Sequence, residues 1–134
     1  MSWKETYRSR QATAEEAVAH IKSGDRVIVG HACGEPSYLL DVMVQHAEDY
    51  RDVEIVHMVA MGKCEYCKPA YAKNFRHNAI FAGGNSRDAI FEGRGDFTPV
   101  FFYRVPELFD TTLPLDAALV MVTPPDENGM CSLG

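Results

Sequence analysis

Hydrophobic positions in this chain fall into short runs divided by glycine- and proline-rich turns, and the runs alternate between two periods. Thr13-Ala14-Glu15-Glu16 has the form of a capping box: the Thr13 hydroxyl accepts from the Glu16 amide, and the Glu16 carboxylate reaches back. Ala14, Ala17, Val18 and Ile21 follow at helical spacing, with Gly24 as the stop. Arg26-Val27-Ile28-Val29 predicts a strand that is apolar on both faces, as befits one lying between helices. The glycine-bounded turn Gly30-His31-Ala32-Cys33-Gly34-Glu35 leads into Pro36, a residue suited to a first helical turn, and Leu39, Leu40, Met43, Val44 and Ala47 form one apolar stripe. Further strands are predicted over residues 53–60, 79–82, 100–103 and, fully buried, 117–122, with short helices over 87–92 and 105–109. The aromatic run Phe101-Phe102-Tyr103 is assigned to the core, residues 61–74 to an irregular stretch, and residues 1–12 to an arm. The alternation gives an α/β fold: an open, mostly parallel sheet with flanking helices.

A loop leaving a buried strand should lead to another covering element, yet residues 123–134 carry only Thr123-Pro124-Pro125-Asp126-Glu127-Asn128-Gly129 and a short tail. Residues 1–134 are therefore expected to be one piece of a longer polypeptide. Asn128-Gly129 favours a tight turn, after which Met130 begins a returning strand.

The 134 residues suffice for one domain with its own core, and 46% hydrophobic with 24% charged residues excludes a disordered or collagen-like chain. A net charge of −6 argues against a nucleic-acid binder, while leaving room for a small anion held by local backbone dipoles. No apolar run approaches the ~20 residues of a membrane-spanning helix, and the polar start Met1-Ser2-Trp3-Lys4-Glu5 lacks a signal-peptide core. The cytoplasm is the expected compartment, where Cys33, Cys64, Cys67 and Cys131 would be thiols rather than a disulfide framework.

The strongest local signal is the strand–glycine loop–helix unit over residues 27–40. Gly30 and Gly34 let the backbone approach a ligand at the carboxyl end of a strand, where amides can hold a carboxylate, a phosphate or a developing oxyanion. A tight turn with no ligand explains the same glycines equally well, and the spacing is not that of a dinucleotide fingerprint. His31 is the one histidine on this loop. Cys64-Glu65-Tyr66-Cys67 leaves three uses open: an incidental thiol-bearing loop, a zinc site completed by His57 and His77, or a redox pair. Gly83-Gly84-Asn85-Ser86-Arg87 suggests a helix cap by Asn85 or Ser86, and Gly93-Arg94-Gly95-Asp96 a solvated turn. No nucleophile–base pair and no phosphate-binding loop is present.

Four segments, residues 23–36, 92–102, 105–109 and 123–134, resemble in order the N-terminal part of the acetyl-CoA hydrolase/transferase family, in particular its 4-hydroxybutyrate-using members. The resemblance implies one half of a two-domain CoA-transferase-like fold, with the active site between the halves. It implies acyl-CoA and a short carboxylic acid as substrates, acetyl-CoA and 4-hydroxybutyrate first among them, with coenzyme A a substrate rather than a bound cofactor. It also implies a homo-oligomer, with neither nucleic acid nor membrane as partner. In that chemistry a glutamate attacks the acyl-CoA, the released thiolate returns to leave a glutamyl-CoA thioester, and a second carboxylate resolves it. The nucleophilic glutamate is expected in a C-terminal half outside this chain, so Glu35 is not assigned that role and residues 1–134 alone are expected to be inactive. What carries over is one wall of the site: Gly30, His31, Ala32, Cys33, Gly34 and Glu35 as a substrate and oxyanion loop, with Met61 and Gly62 shaping the acid pocket. No metal is expected from the resemblance; a small-anion binding module and a metal-binding domain at Cys64 and Cys67 are the alternatives.

Overall fold

Five parallel strands in the order β4-β3-β2-β1-β5 make the sheet: β1 (Arg26–Val29), β2 (Val53–His57), β3 (Phe75–Ala79), β4 (Gly95–Phe97) and β5 (Ala117–Leu119). The computed structural model describes residues 2–133. Helices α1 (Trp3–Ser9), α2 (Ala14–Val18), α3 (Ser37–Gln45), α4 (Arg87–Phe91) and α5 (Val105–Thr111) flank or precede the strands, joined by short 3₁₀ turns. No helix among the described residues is long and apolar enough to cross a membrane.

Each strand alternates its side chains between two faces. Val27, Val29 and Ile55 enter a core built with Val18, Leu40, Met43, Tyr50 and Phe75. Ile28 and Val56 point the other way, against Ile80, Val105, Leu108 and Phe109. The Thr13–Glu16 capping box forms with both of its hydrogen bonds, and α2 stops at Val18, earlier than the apolar spacing suggested. The arm contains a helix of its own, α1, capped by Ser2 and Glu5 and burying no residue.

Several strand assignments need correction. The third strand begins at Phe75, four residues before the apolar run expected to form it. Its sequence, Phe-Arg-His-Asn-Ala, reads as polar because Asn78 is buried with partners on both sides: its Nδ2 donates to Glu54 at 2.7 Å and its Oδ1 accepts from Thr98 at 2.8 Å. Glu54 in turn takes the Arg26 guanidinium at 2.6 Å. Residues 100–103 are not a strand; the sheet uses Gly95–Phe97 instead, and Phe101, Phe102 and Tyr103 are 72–78% exposed rather than core. β5 is shorter than expected and not fully buried, with Val120, Met121 and Val122 about half exposed beyond it. After Gly129 the chain does return, through Asp126–Met130 and Thr123–Ser132 hydrogen bonds, without forming a regular strand.

His77 sits on β3, 1% exposed, with its ring 5.6 Å from that of Tyr66 and neither nitrogen hydrogen-bonded among the described residues. Burial first, and then the neighbouring His57, lower its pKa from the usual 6.5 to about 4. The unfolded chain therefore takes up this proton before the folded one does. The stability His77 confers is complete above its unfolded pKa and is lost as pH falls from 6.5 towards 4. Urea unfolding should show a loss of about 2 kcal/mol between pH 7.5 and pH 5 from this ring, which H77L should remove. Equal midpoints for the wild type at the two pH values would contradict this reading.

Candidate functional site

The strand order reverses direction at β1, which has β2 on one side and β5 on the other. In open α/β sheets a ligand crevice lies at such a reversal, outside the carboxyl ends of the strands. The loop that leaves β1 there is the glycine-bounded segment 30–35; the loop after β2 meets it, and the loop after β3 meets the loop after β2.

The contacts between these loops are specific. Gly30 donates its amide to Leu119 at the end of β5, 2.8 Å away, and Ala32 donates to Val59, just past β2, at 3.0 Å. A Cβ at Gly30 would stand 2.6 Å from the Gly34 carbonyl oxygen, so the turn closes on itself only with glycine there. Ala32 itself adopts a left-handed φ of 52°. The Gly34 and Glu35 amides close the 3₁₀ turn onto His31 and Ala32. Four of the six loop amides are thus spent inside the protein.

Glu35 turns its carboxylate inward, with its side chain 5% exposed. One of its oxygens accepts from the Met61 amide at 3.1 Å and the Gly62 amide at 2.9 Å. Asn85, from the loop after β3, donates to the carbonyl oxygens of the same two residues, at 3.4 Å for Met61 and 2.8 Å for Gly62. Asn85 thus serves as a tie between loops rather than as a helix cap, and α4 has no side-chain cap. A Cβ on Gly62 would fall 2.0 Å from the Glu35 carboxylate, so glycine at 62 is what lets that carboxylate dock.

Beneath the loops lies His57, completely buried at the end of β2. Its Nε2 is 3.1 Å from the Gly30 carbonyl oxygen, which can only accept, so Nε2 carries the proton. Nδ1 is then the bare nitrogen and accepts a hydrogen bond from the Tyr66 hydroxyl, 3.0 Å away. Burial lowers the His57 pKa, against the pull of the Glu35 carboxylate 3.8 Å from Nε2. Burial also holds the Tyr66 hydroxyl in its neutral, donating form.

The structure brings together all eight residues expected at the site. His31, Cys33 and Met61 are exposed on its rim, while Glu35 and Gly62 lie against each other. A cleft of about 90 Å³ opens beside them, lined by Glu35, Ser37, Asp41, Gly62, Cys64 and Tyr66 among others. His57, Tyr66 and Asn85 were not expected there; a histidine following the apolar pair Ile55-Val56 at the end of a strand was the available signal for the first. The suggested zinc site does not assemble: both His57 nitrogens are occupied, and no group of three or more His, Cys, Asp or Glu side chains converges among the described residues. Arg94 is not solvated as expected; its side chain is four-fifths buried, and its guanidinium donates to the Cys67 carbonyl oxygen and to Glu92.

The Gly62–Glu35 contact makes a direct prediction. G62A should lower the unfolding free energy by about 1–3 kcal/mol through displacement of a buried carboxylate. In an E35A background the same change should cost much less, giving a coupling of about 1 kcal/mol or more in a double-mutant cycle of urea unfolding. Additive single effects would show that the two groups do not meet.

Known proteins resemble this chain along its whole length. The family model described as acetyl-CoA hydrolase/transferase N-terminal domain matches residues 1–134. The chain is 50% identical, over its full length, to 4-hydroxybutyrate coenzyme A transferase of Clostridium kluyveri, covering 32% of that protein. It is 34% identical over 92% of its length to a succinyl-CoA:acetate/propanoyl-CoA:succinate CoA transferase of Fasciola hepatica, covering 26% of it. Among solved structures, a 4-hydroxybutyrate CoA-transferase from Porphyromonas gingivalis aligns over 99% of this chain and 30% of its own, with TM-score 0.74 and 30% identity. RipA from Yersinia pestis shares the fold with TM-score 0.91 at 23% identity, over all of this chain and 34% of its own. The chain spans about a third of the length of these relatives. The parallel sheet, the loop cluster at its carboxyl edge and the match along the whole sequence converge: the chain belongs to the acetyl-CoA hydrolase/transferase family, as its N-terminal domain.

Proposed function

We propose that this chain supplies one wall of the active site of an acyl-CoA:carboxylate CoA-transferase, with 4-hydroxybutyrate as the acid. The observation that carries the reading is 50% identity along the whole chain to an enzyme named for that acid, together with the meeting of residues 30–35 and 61–62 at the strand-order reversal. In a ping-pong transfer each step passes through a tetrahedral oxyanion, which pre-aimed amides stabilise. The His31 and Cys33 amides are the donors this loop offers, held at fixed positions by the bonds from Gly30, Ala32 and Gly34. Met61, exposed above the Met61–Gly62 turn, gives an apolar side to the pocket for a short acyl chain. Glu35 holds that turn through its amides and is committed to this tie, so the reading places the attacking glutamate on a C-terminal half of the same enzyme.

The family relatives are CoA-transferases, and the division of labour is testable by exchange. Replacing the segment of the C. kluyveri enzyme that aligns with this chain by the chain itself should give a chimera that moves CoA from acetyl-CoA to 4-hydroxybutyrate at a kcat/KM within about tenfold of the parent. Residues 1–134 alone should show no exchange. A folded, inactive chimera, or transfer by the isolated chain, would overturn the proposal.

A further inference from the structure

The Cys64–Cys67 pair takes no part in the transfer reading, and its surroundings give it a chemistry of its own. The Cys67 amide donates to the Cys64 carbonyl oxygen at 2.9 Å, closing a four-residue turn. Such turns hold their end Cα atoms within about 7 Å, at the edge of the range a disulfide spans. Both thiols are free and nearly buried, at 5% and 8% exposure. They are not equivalent. Cys64 lines the 90 Å³ cleft beside Glu35 and Gly62, whereas Cys67 does not reach it and lies under the Arg94 guanidinium, which grips its carbonyl oxygen. Cys64 also takes a left-handed φ of 50°, fixing the direction in which the turn presents its side chain.

We propose that Cys64 and Cys67 form a redox-active dithiol, with Cys64 as the attacking thiol and Cys67 as the resolving one, that reacts with small-molecule disulfides. The Cys64 thiolate attacks one sulfur of RS–SR, forming a mixed disulfide and releasing RS⁻, which takes up the proton Cys64 gave up. The Cys67 thiolate then attacks the Cys64 sulfur, closing the protein disulfide and expelling a second RSH. The two cysteines lose two electrons and two protons, and RS–SR gains both. The order follows from the cleft, which Cys64 lines and Cys67 does not. The hydrogen bond between the two thiols eases loss of the first proton from the pair and hinders loss of the second. The reaction has a route to the transfer site, because Tyr66 lies between the two cysteines and donates to His57, which holds the Gly30 carbonyl.

The test needs no assay of CoA transfer, so it is independent of the proposed function. The reduced C33S/C131S chain is incubated with glutathione disulfide, quenched with N-ethylmaleimide and weighed intact. The expected product is two mass units lighter than the reduced chain and takes no maleimide. Adding C67S should leave glutathione fixed on Cys64, and adding C64S should leave Cys67 unmodified under the same exposure. Peptide mapping of the oxidised wild-type chain should place the link between residues 64 and 67, which covers the case in which a serine variant fails to fold. Two maleimide-reactive thiols persisting in excess glutathione disulfide, a mixed disulfide that settles on Cys67, or a link that avoids the 64–67 pair would each overturn the proposal.

Discussion

The site rests on one buried imidazole. His57 closes β2 with nothing but protein around it, and a neutral ring in that position needs an acceptor for its one N–H and a donor for its other nitrogen. The Gly30 carbonyl supplies the first and the Tyr66 hydroxyl the second. Because the carbonyl can only accept, it fixes the N–H of the neutral ring on Nε2, the Tyr66 hydroxyl donates to the nitrogen that remains, and the ring holds the end of β1 against the loop that follows β2. Replacement by an apolar side chain would leave the Gly30 carbonyl without its ring partner, at a cost of about 1–3 kcal/mol.

Above that layer a second tie runs in the opposite sense. Glu35 comes from the β1 loop and fastens to amides of the β2 loop, and Asn85 comes from the β3 loop and fastens to carbonyl oxygens of the same two residues. Three successive connections, which a bare α/β sheet would leave to move independently, become one surface. Such rigidity suits a reaction whose charge develops in the transition state, since donors that are already aimed need no reorganisation as the oxyanion forms. Gly30 and Gly62 are where this surface most depends on the lack of a side chain.

Much of this was legible in the sequence, and the parts that were not share a cause. The Thr13 cap, the 26–29 strand and the tight turn made by the glycines after it obey local rules, and these local elements stand in the structure. β3 was misplaced because His77 and Asn78 are buried for reasons that lie elsewhere in the chain, at Tyr66, Glu54 and Thr98. Phe101, Phe102 and Tyr103 were assigned to a core they do not enter, since apolar character alone does not say which surface a side chain meets. The same blindness hid His57, Tyr66 and Asn85. Each matters through partners on other elements, and neither periodicity nor a motif records such a pairing.

The claim at the centre of this account is the state of the His57 ring, and nitrogen NMR reads it directly. In uniformly ¹⁵N-labelled protein, long-range correlations to the ring protons should show a neutral His57 with a pyrrole-type Nε2 and a pyridine-type Nδ1. That pattern should persist below pH 6.5, the ordinary midpoint of a histidine. A proton on Nδ1 instead, or conversion to the imidazolium at an ordinary midpoint, would mean that the ring is not locked between Gly30 and Tyr66, and the wall built upon it would lose its foundation.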